Sequence, residues 1–249
     1  MKPNSIFIIS NRRRISLSPE DILYVQLVNR QSVIHVSGGK TYETYTTIDD
    51  LERMLGSGFL RADRATLVSA KGIHTIGKKI ELINGELLSF TRRRKRELKE
   101  QLRAGRRQIV QELAGSDAPT TREEYQRHYA SYDSAPFAFT DIEMVFNEER
   151  AAVDWIFRYG NEALATLEKT PLEQLIDHAF GSIFPNMDAK WLRVYEHTAL
   201  YGEMLEIVDF SPEIDTALRI ICFPTFKGHC GCILFDQAEI QTVSEHEKP

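Results

Sequence analysis

The first forty or so residues alternate apolar and polar positions in short runs. "IFIIS", "RISLS", "DILYVQLV", "SVIHVS" and "KTYETYT" are rich in Ile, Val, Tyr and Thr, and are separated by "SPED", "NRQ" and "GGK". A period of two in β-branched and aromatic residues, cut by turn formers, predicts strands with tight connections. The period then changes: "TIDDLERML" sets Ile48, Leu51, Met54 and Leu55 on one helical face behind Thr47, a suitable cap, and Gly56 and Gly58 stop it. Strand-like pieces return at "ATLVS" and "KKIELINGELLSF", where Asn84-Gly85 between apolar runs predicts a hairpin.

A helix is predicted from Thr91 onward, in "TRRRKRELKEQL". Leu98, Leu102, Ile109 and Leu113 could form a dimerising seam along it, weakened by Gly105. Between 105 and 139 the pattern loosens into a helix end, a Gly-Ser-Asp-Ala-Pro break and a polar second helix. Beyond it, "IEMVFNEE" and "DWIFRYG" read as strands, and "NEALATLEK" and "PLEQLIDHAF" as helices, the second opened by Pro171. "MDAKWLRVYEHTALYG" reads as a longer amphipathic helix with Trp191, Val194, Tyr195 and Thr198 on one side. "EMLEIVDFS", "TALRIICFPTF" and "GHCGCILFD" close the chain as a three-strand meander. The expected architecture is α+β in two domains: a mostly-β domain at 1–104, a helical linker at 105–139, a strand–helix–strand domain at 140–241 and a flexible tail at 242–249.

Composition sharpens this picture in two places. At 249 residues, 42% hydrophobic and 27% charged, the chain can build proper cores, and no run approaches the ~18 apolar residues of a membrane span. No signal-peptide pattern precedes Ser10, and Cys222, Cys230 and Cys232 are odd in number and confined to one region. That is no disulfide framework, so a reducing, cytoplasmic setting without membrane partners is expected. The net charge of −5 hides a division: residues 1–107 carry 21 Lys+Arg against 11 Asp+Glu (+10), and residues 108–249 carry 10 against 25 (−15). Such asymmetry points to a first half that meets a polyanion, although basic patches also occur as plain solvated surface.

Arg92 to Arg96 are five consecutive cations in the first turn of the predicted helix. There each opposes the helix macrodipole at a cost of ~0.3–1 kcal/mol. The same end offers free backbone N–H groups and so makes an anion site. Arg92, Arg96, Lys99 and Arg103 share one face for about 16 Å at a helical rise of ~1.5 Å per residue. Four of the five cations are arginine, which suits bidentate recognition of phosphate or guanine.

The order and spacing of "DILYVQLVNRQSVIHV", "GFLRADRATLVSAKGIHTI" and "LINGELLSFTRRRKRELKEQL" resemble a LytTR DNA-binding domain over about residues 5–103. The resemblance implies an elongated set of short β-sheets whose loops and C-terminal element enter successive major grooves of double-stranded DNA, usually at direct repeats near promoters. It implies DNA-facing roles for Asn29, Arg30 and Gln31 in one loop, for Arg64 in "RADRATLVS", and for Arg92, Arg93, Lys95 and Arg96. Asp63, Ala65 and Ser69 depart from the His, Ser and Asn usual in the family, so an altered recognition sequence is expected. Asp63 would repel phosphate or accept from a cytosine amino group. Arg64 could instead pair with Asp63 or Glu52.

"WIFRYGNEALATLEKTPLEQLID" is similar to the signature stretch of PAS domains through Asn161, Ala163, Leu167, Pro171 and Leu175, with Glu168 and Asp177 in place of two common glycines. This implies a five-stranded antiparallel sheet with flanking helices, a small-molecule pocket between them and frequent homodimerisation. Phe157, Trp191, Tyr195 and Phe223 are candidate pocket residues. No cofactor is assigned, only an unidentified small molecule. The Asn-Cys-Arg block of the flavin-binding light-sensing branch is missing between Phe180 and Leu192, and His178 and His197 read as structural rather than as haem ligands. Cys230 and Cys232, two apart on one strand, read with Cys222 as small buried thiols rather than a metal site. No G-x-x-x-x-G-K-[ST], H-E-x-x-H or G-x-S-x-G occurs, so no enzyme is expected. The expected function is a DNA-binding transcriptional regulator. Its acidic half would sense a small molecule or mediate dimerisation, or would serve as a ligand-free interaction module.

Overall fold

The computed structural model describes residues 5–113, 117–148, 151–185 and 188–239, so the expected tail at 242–249 lies outside it. It divides into two compact units, Met1–Arg106 and Arg107–Pro249. No helix of the described residues is long and apolar enough to cross a membrane.

In the first unit the alternating runs form short strands, as their period requires. β1 (Ile6–Ser10) and β2 (Arg13–Leu17) make a hairpin. β3 (Ile22–Val28), β4 (Gln31–Val36), β5 (Thr41–Thr44), β6 (Phe59–Asp63) and β7 (Thr66–Ser69) make a sheet in the order β5-β4-β3-β7-β6. β8 (Ile73–Ile76), β9 (Ile80–Leu82) and β10 (Leu87–Leu88) make a third, in the order β10-β9-β8. The hairpin at Asn84-Gly85 forms, with Gly85 at φ 82° and its N–H bonded to the Leu82 carbonyl at 2.9 Å. α1 (Ile48–Leu55) is capped by the Thr47 hydroxyl, which accepts from the Asp50 N–H at 3.2 Å. It buries Ile48, Leu51 and Leu55, but Met54 is 41% exposed because it lies at the edge of the apolar stripe.

The basic segment differs from the expectation. Arg92–Arg94 form a 3-10 turn and the α-helix proper, α2, runs Lys95–Leu113, straight through Gly105. The Thr91 hydroxyl makes no capping bond; its carbonyl accepts from the Arg94 N–H at 2.8 Å. Leu98 and Leu102 are buried against Ile73, Ile76, Ile80, Leu82 and Leu88, so half of the proposed dimer seam is spent within the unit's own core. Arg106 extends the attachment by donating to the carbonyls of Ile73 and His74 at 2.8 and 3.0 Å.

The second unit is a five-stranded antiparallel sheet: β11 (Ala138–Phe146), β12 (Ala152–Gly160), β13 (Leu205–Ser211), β14 (Thr216–Pro224) and β15 (His229–Asp236), ordered β12-β11-β15-β14-β13. α4 (Glu162–Leu167), α5 (Leu172–Leu175), α6 (Phe180–Ile183) and α7 (Ala189–Tyr201) connect β12 to β13 and cover one face. This is the arrangement that the PAS resemblance implies. The helix expected over "PLEQLIDHAF" stops after one turn, because Ile176 bridges to Phe157 and Asp177 turns left-handed at φ 66°. Arg158 holds Asp177 there at 2.7 Å. α7 is buried on nearly every side rather than amphipathic.

The helix assigned to the linker, α3 (Arg122–Tyr129), belongs to the second unit. Its Tyr125 and Tyr129, one turn apart, pack with Phe139 and Tyr159 on the other face of the sheet. The Tyr129 hydroxyl donates to the fully buried Asp141 carboxylate at 2.8 Å, which also accepts from Thr225 at 2.5 Å and lies 2.7 Å from His229 Nδ1. With both faces covered, β11 is buried over Ala138–Ile142 without alternation.

Candidate nucleic-acid interface

Strand register brings the basic segments to one end of the first unit's main sheet. Asn29 and Arg30 form the two-residue β3–β4 turn at φ 49° and 68°. A type I′ turn requires both to be left-handed and suits the twist of a hairpin. Left-handed φ costs a non-glycine residue about 1 kcal/mol, which Asn tolerates and Arg does not relieve. Gln31 is the first residue of β4 rather than part of the loop. On the neighbouring strand Gln26 faces Thr66, and the Leu27 N–H donates to the Ala65 carbonyl at 2.8 Å, which puts the Arg64-Ala65 turn at the same end. The Thr91 N–H donates to the Ala62 carbonyl at 3.2 Å, so the arginine turn starts beside the same hairpin.

The electrostatics sort these cations into two groups. Arg61, absent from the sequence-based candidates, absorbs the nearby acids: its guanidinium bonds Asp49 at 2.8 Å and Glu52 at 2.6 Å, and the carbonyls of Asp63 and Arg64 at 2.7 Å each. Burial alone would lower its pKa, but these carboxylates carry it above the usual arginine value. Arg61 therefore rigidifies the turn and leaves the exposed Arg64 side chain without an ion pair among the described residues. Asp63 turns its carboxylate inward to accept from the Ala65 N–H at 2.8 Å, so it closes the turn. At the helix tip Arg94 pairs with Glu97 at 2.7 Å and the highly exposed Arg96 with Glu100 at 3.5 Å. Arg30, Arg92, Arg93 and Lys95 are exposed and make no ion pair among the described residues. Lys99 and Arg103 are half-buried, so the cationic stripe is strongest at its start.

In the second unit, Phe157, Trp191 and Tyr195 line a cavity of about 30 Å³ together with Glu168, Phe180 and Cys232. Phe223 does not: it lies on the opposite face of the sheet, stacked 6.1 Å from Phe139. A volume of this size holds a water or an ion, well short of the ~300 Å³ at which small-molecule pockets begin. Burial, and then the neighbouring Glu213, pushes the Glu168 carboxyl up to about 7.

Residues 12–103 match the family model of the LytTr DNA-binding domain. This segment is a LytTR domain. A LytTr DNA-binding domain from Bacillus cereus shares 14% identity over 39% of this chain and 95% of its own, with a TM-score of 0.36. A LOV protein from Rhodobacter sphaeroides shares 13% identity over 48% of this chain and 70% of its own, with a TM-score of 0.34. No curated protein matches the chain. The LytTR match contains all eight of the candidate DNA-facing residues and ends within α2. No signal in the sequence singles out Arg61 within the LytTR domain, because its acidic partners come from α1, nine and twelve residues away.

Proposed function

We propose that the chain is a sequence-specific transcriptional regulator whose LytTR domain binds double-stranded DNA through the Asn29-Arg30-Gln31 segment, Arg64, and Arg92, Arg93, Lys95 and Arg96. The observation that carries this reading is the convergence of the three segments at one sheet end, with Arg30, Arg64, Arg92, Arg93 and Lys95 exposed and making no ion pair among the described residues. Unpaired cations carry the electrostatic term of DNA binding. Arg64 and Arg92 are the best placed to reach base edges, since each follows a backbone anchored in the domain. The chain works as a homodimer on paired direct repeats, and the PAS-like unit supplies the input or the pairing surface. The small cavity favours pairing, or a very small ligand, over a flavin or haem.

Selection of bound duplexes from a random library with the purified chain tests this. Enrichment of a short motif repeated at fixed spacing is expected. A library that stays random, at low ionic strength, would sink the reading.

A further inference from the structure

The chain's three cysteines converge although the sequence separates them. Cys222 on β14 stands directly opposite Cys232 on β15, and Cys230 lies two residues before Cys232 on the same face. The Cys230 and Cys232 sulfurs are 3.6 Å apart, and all three sulfurs lie within 4.8 Å of one another. All three residues are fully buried, at 0%, 0% and 1% exposure. Packing alone does not ask for this, since small apolar side chains would fill the same sheet positions without polarisable sulfur. The intervening Gly231 keeps the strand close to its neighbour's aromatic side: a Cβ there would come within 2.7 Å of the Phe223 ring.

Three sulfurs around one centre at a bond length of about 2.3 Å are mutually ~3.5–4 Å apart, depending on whether the centre is pyramidal or planar. The observed spacing reaches that with small side-chain rotations. Sulfur donors select soft ions. Charge and coordination number narrow the choice. Zinc wants a fourth ligand, and no other Cys, His, Asp or Glu joins the group among the described residues. A monovalent ion on three thiolates leaves two negative charges in an apolar core, where uncompensated charge is strongly disfavoured. A trivalent, three-coordinate centre leaves none.

We propose that Cys222, Cys230 and Cys232 form a three-sulfur site for a trivalent thiophilic ion of the arsenite class. Binding balances without redox change: As(OH)3 and three thiols give As(SR)3 and three waters, with three As–O and three S–H bonds broken and three As–S bonds formed. Cys232 lines the 30 Å³ cavity, which gives a leaving water a first place to go. The site stands whether or not the chain binds DNA.

The test uses the full chain, reduced and handled without oxygen, with arsenite, Cu(I) and Zn(II) added separately. Native mass spectrometry and thiol alkylation read the result. One arsenic per chain, with three protons lost and all three thiols protected, is expected. Cys222→Ser and Cys230→Ser should each weaken binding about a hundredfold, the scale of losing one tethered ligand. If a variant fails to fold by circular dichroism, the mass change of the unaltered chain decides: a gain of one arsenic with three hydrogens lost supports the site, and no gain overturns it. No uptake of arsenite at stoichiometric addition, uptake that leaves any thiol open to alkylation, or tight Cu(I) or Zn(II) binding in its place each overturns the proposal.

Discussion

The clearest consequence of the LytTR geometry is a split among the five consecutive cations. Arg92, Arg93 and Lys95 are exposed and unpaired among the described residues, whereas Arg94 and Arg96 are already engaged by Glu97 and Glu100. Each phosphate neutralised by a free cation releases counterions and contributes ~0.9 to the slope of log K against log salt. Replacing Arg92, Arg93 and Lys95 together with alanine should therefore flatten the slope by up to about 2.7, three such contributions. Replacing Arg94 and Arg96 should change it less per residue, because Glu97 and Glu100 already offset part of their charge. Fluorescence anisotropy of a labelled duplex between low and physiological salt measures both slopes with one titration series each. All five residues lie outside the buried core, so the folded fraction stays constant across the variants. Equal slopes for the triple variant and the unaltered chain would refute the placement of this turn on DNA. A larger loss from Arg94 and Arg96 would refute the pairing argument.

Three further outcomes concern the second unit and are read by denaturant or thermal unfolding. Glu168, pushed up to about 7 from an ordinary 4.5, stays protonated in the folded chain while it ionises in the unfolded one. Its effect on stability is therefore nil below about 4.5, falls as pH rises between the two values, and levels off above 7, a loss of about 3 kcal/mol at 1.36 kcal/mol per unit. Glu168→Gln should abolish that fall, and an unchanged pH profile would show the carboxyl to be solvated. Asp141→Ala strands the Tyr129 and Thr225 hydroxyls and the His229 ring without their shared acceptor, and should cost about 3–5 kcal/mol, the scale for opening a buried network. A shift below 1 kcal/mol in urea would mean that the three groups find other partners. Gly231→Ala should lower stability by about 1–3 kcal/mol, as the added methyl drives the Phe223 ring from Phe139. An unaltered melting temperature would indicate a ring free to swing aside.

The primary sequence on its own determined the local elements and their polarity. The alternation in residues 5–46 could only bury one face, Thr47 could only cap what followed it, and Asn84-Gly85 formed its hairpin. Short-range periodicity and turn chemistry need no partner to act, so they are readable without one. The blocks that matched LytTR were legible for the same reason, each being a contiguous run. Tertiary structure decided everything that depends on which strands lie side by side. Register alone sets Arg64 beside the Asn29-Arg30 turn and brings the Ala62 carbonyl to Thr91. Packing diverted Leu98 and Leu102 from a dimer seam into the core and drew α3 onto the sheet. It also moved Phe223 away from the cavity and made one cluster of Cys222, Cys230 and Cys232. These contacts join residues far apart in the chain, and their energies depend on neighbours that no local pattern records.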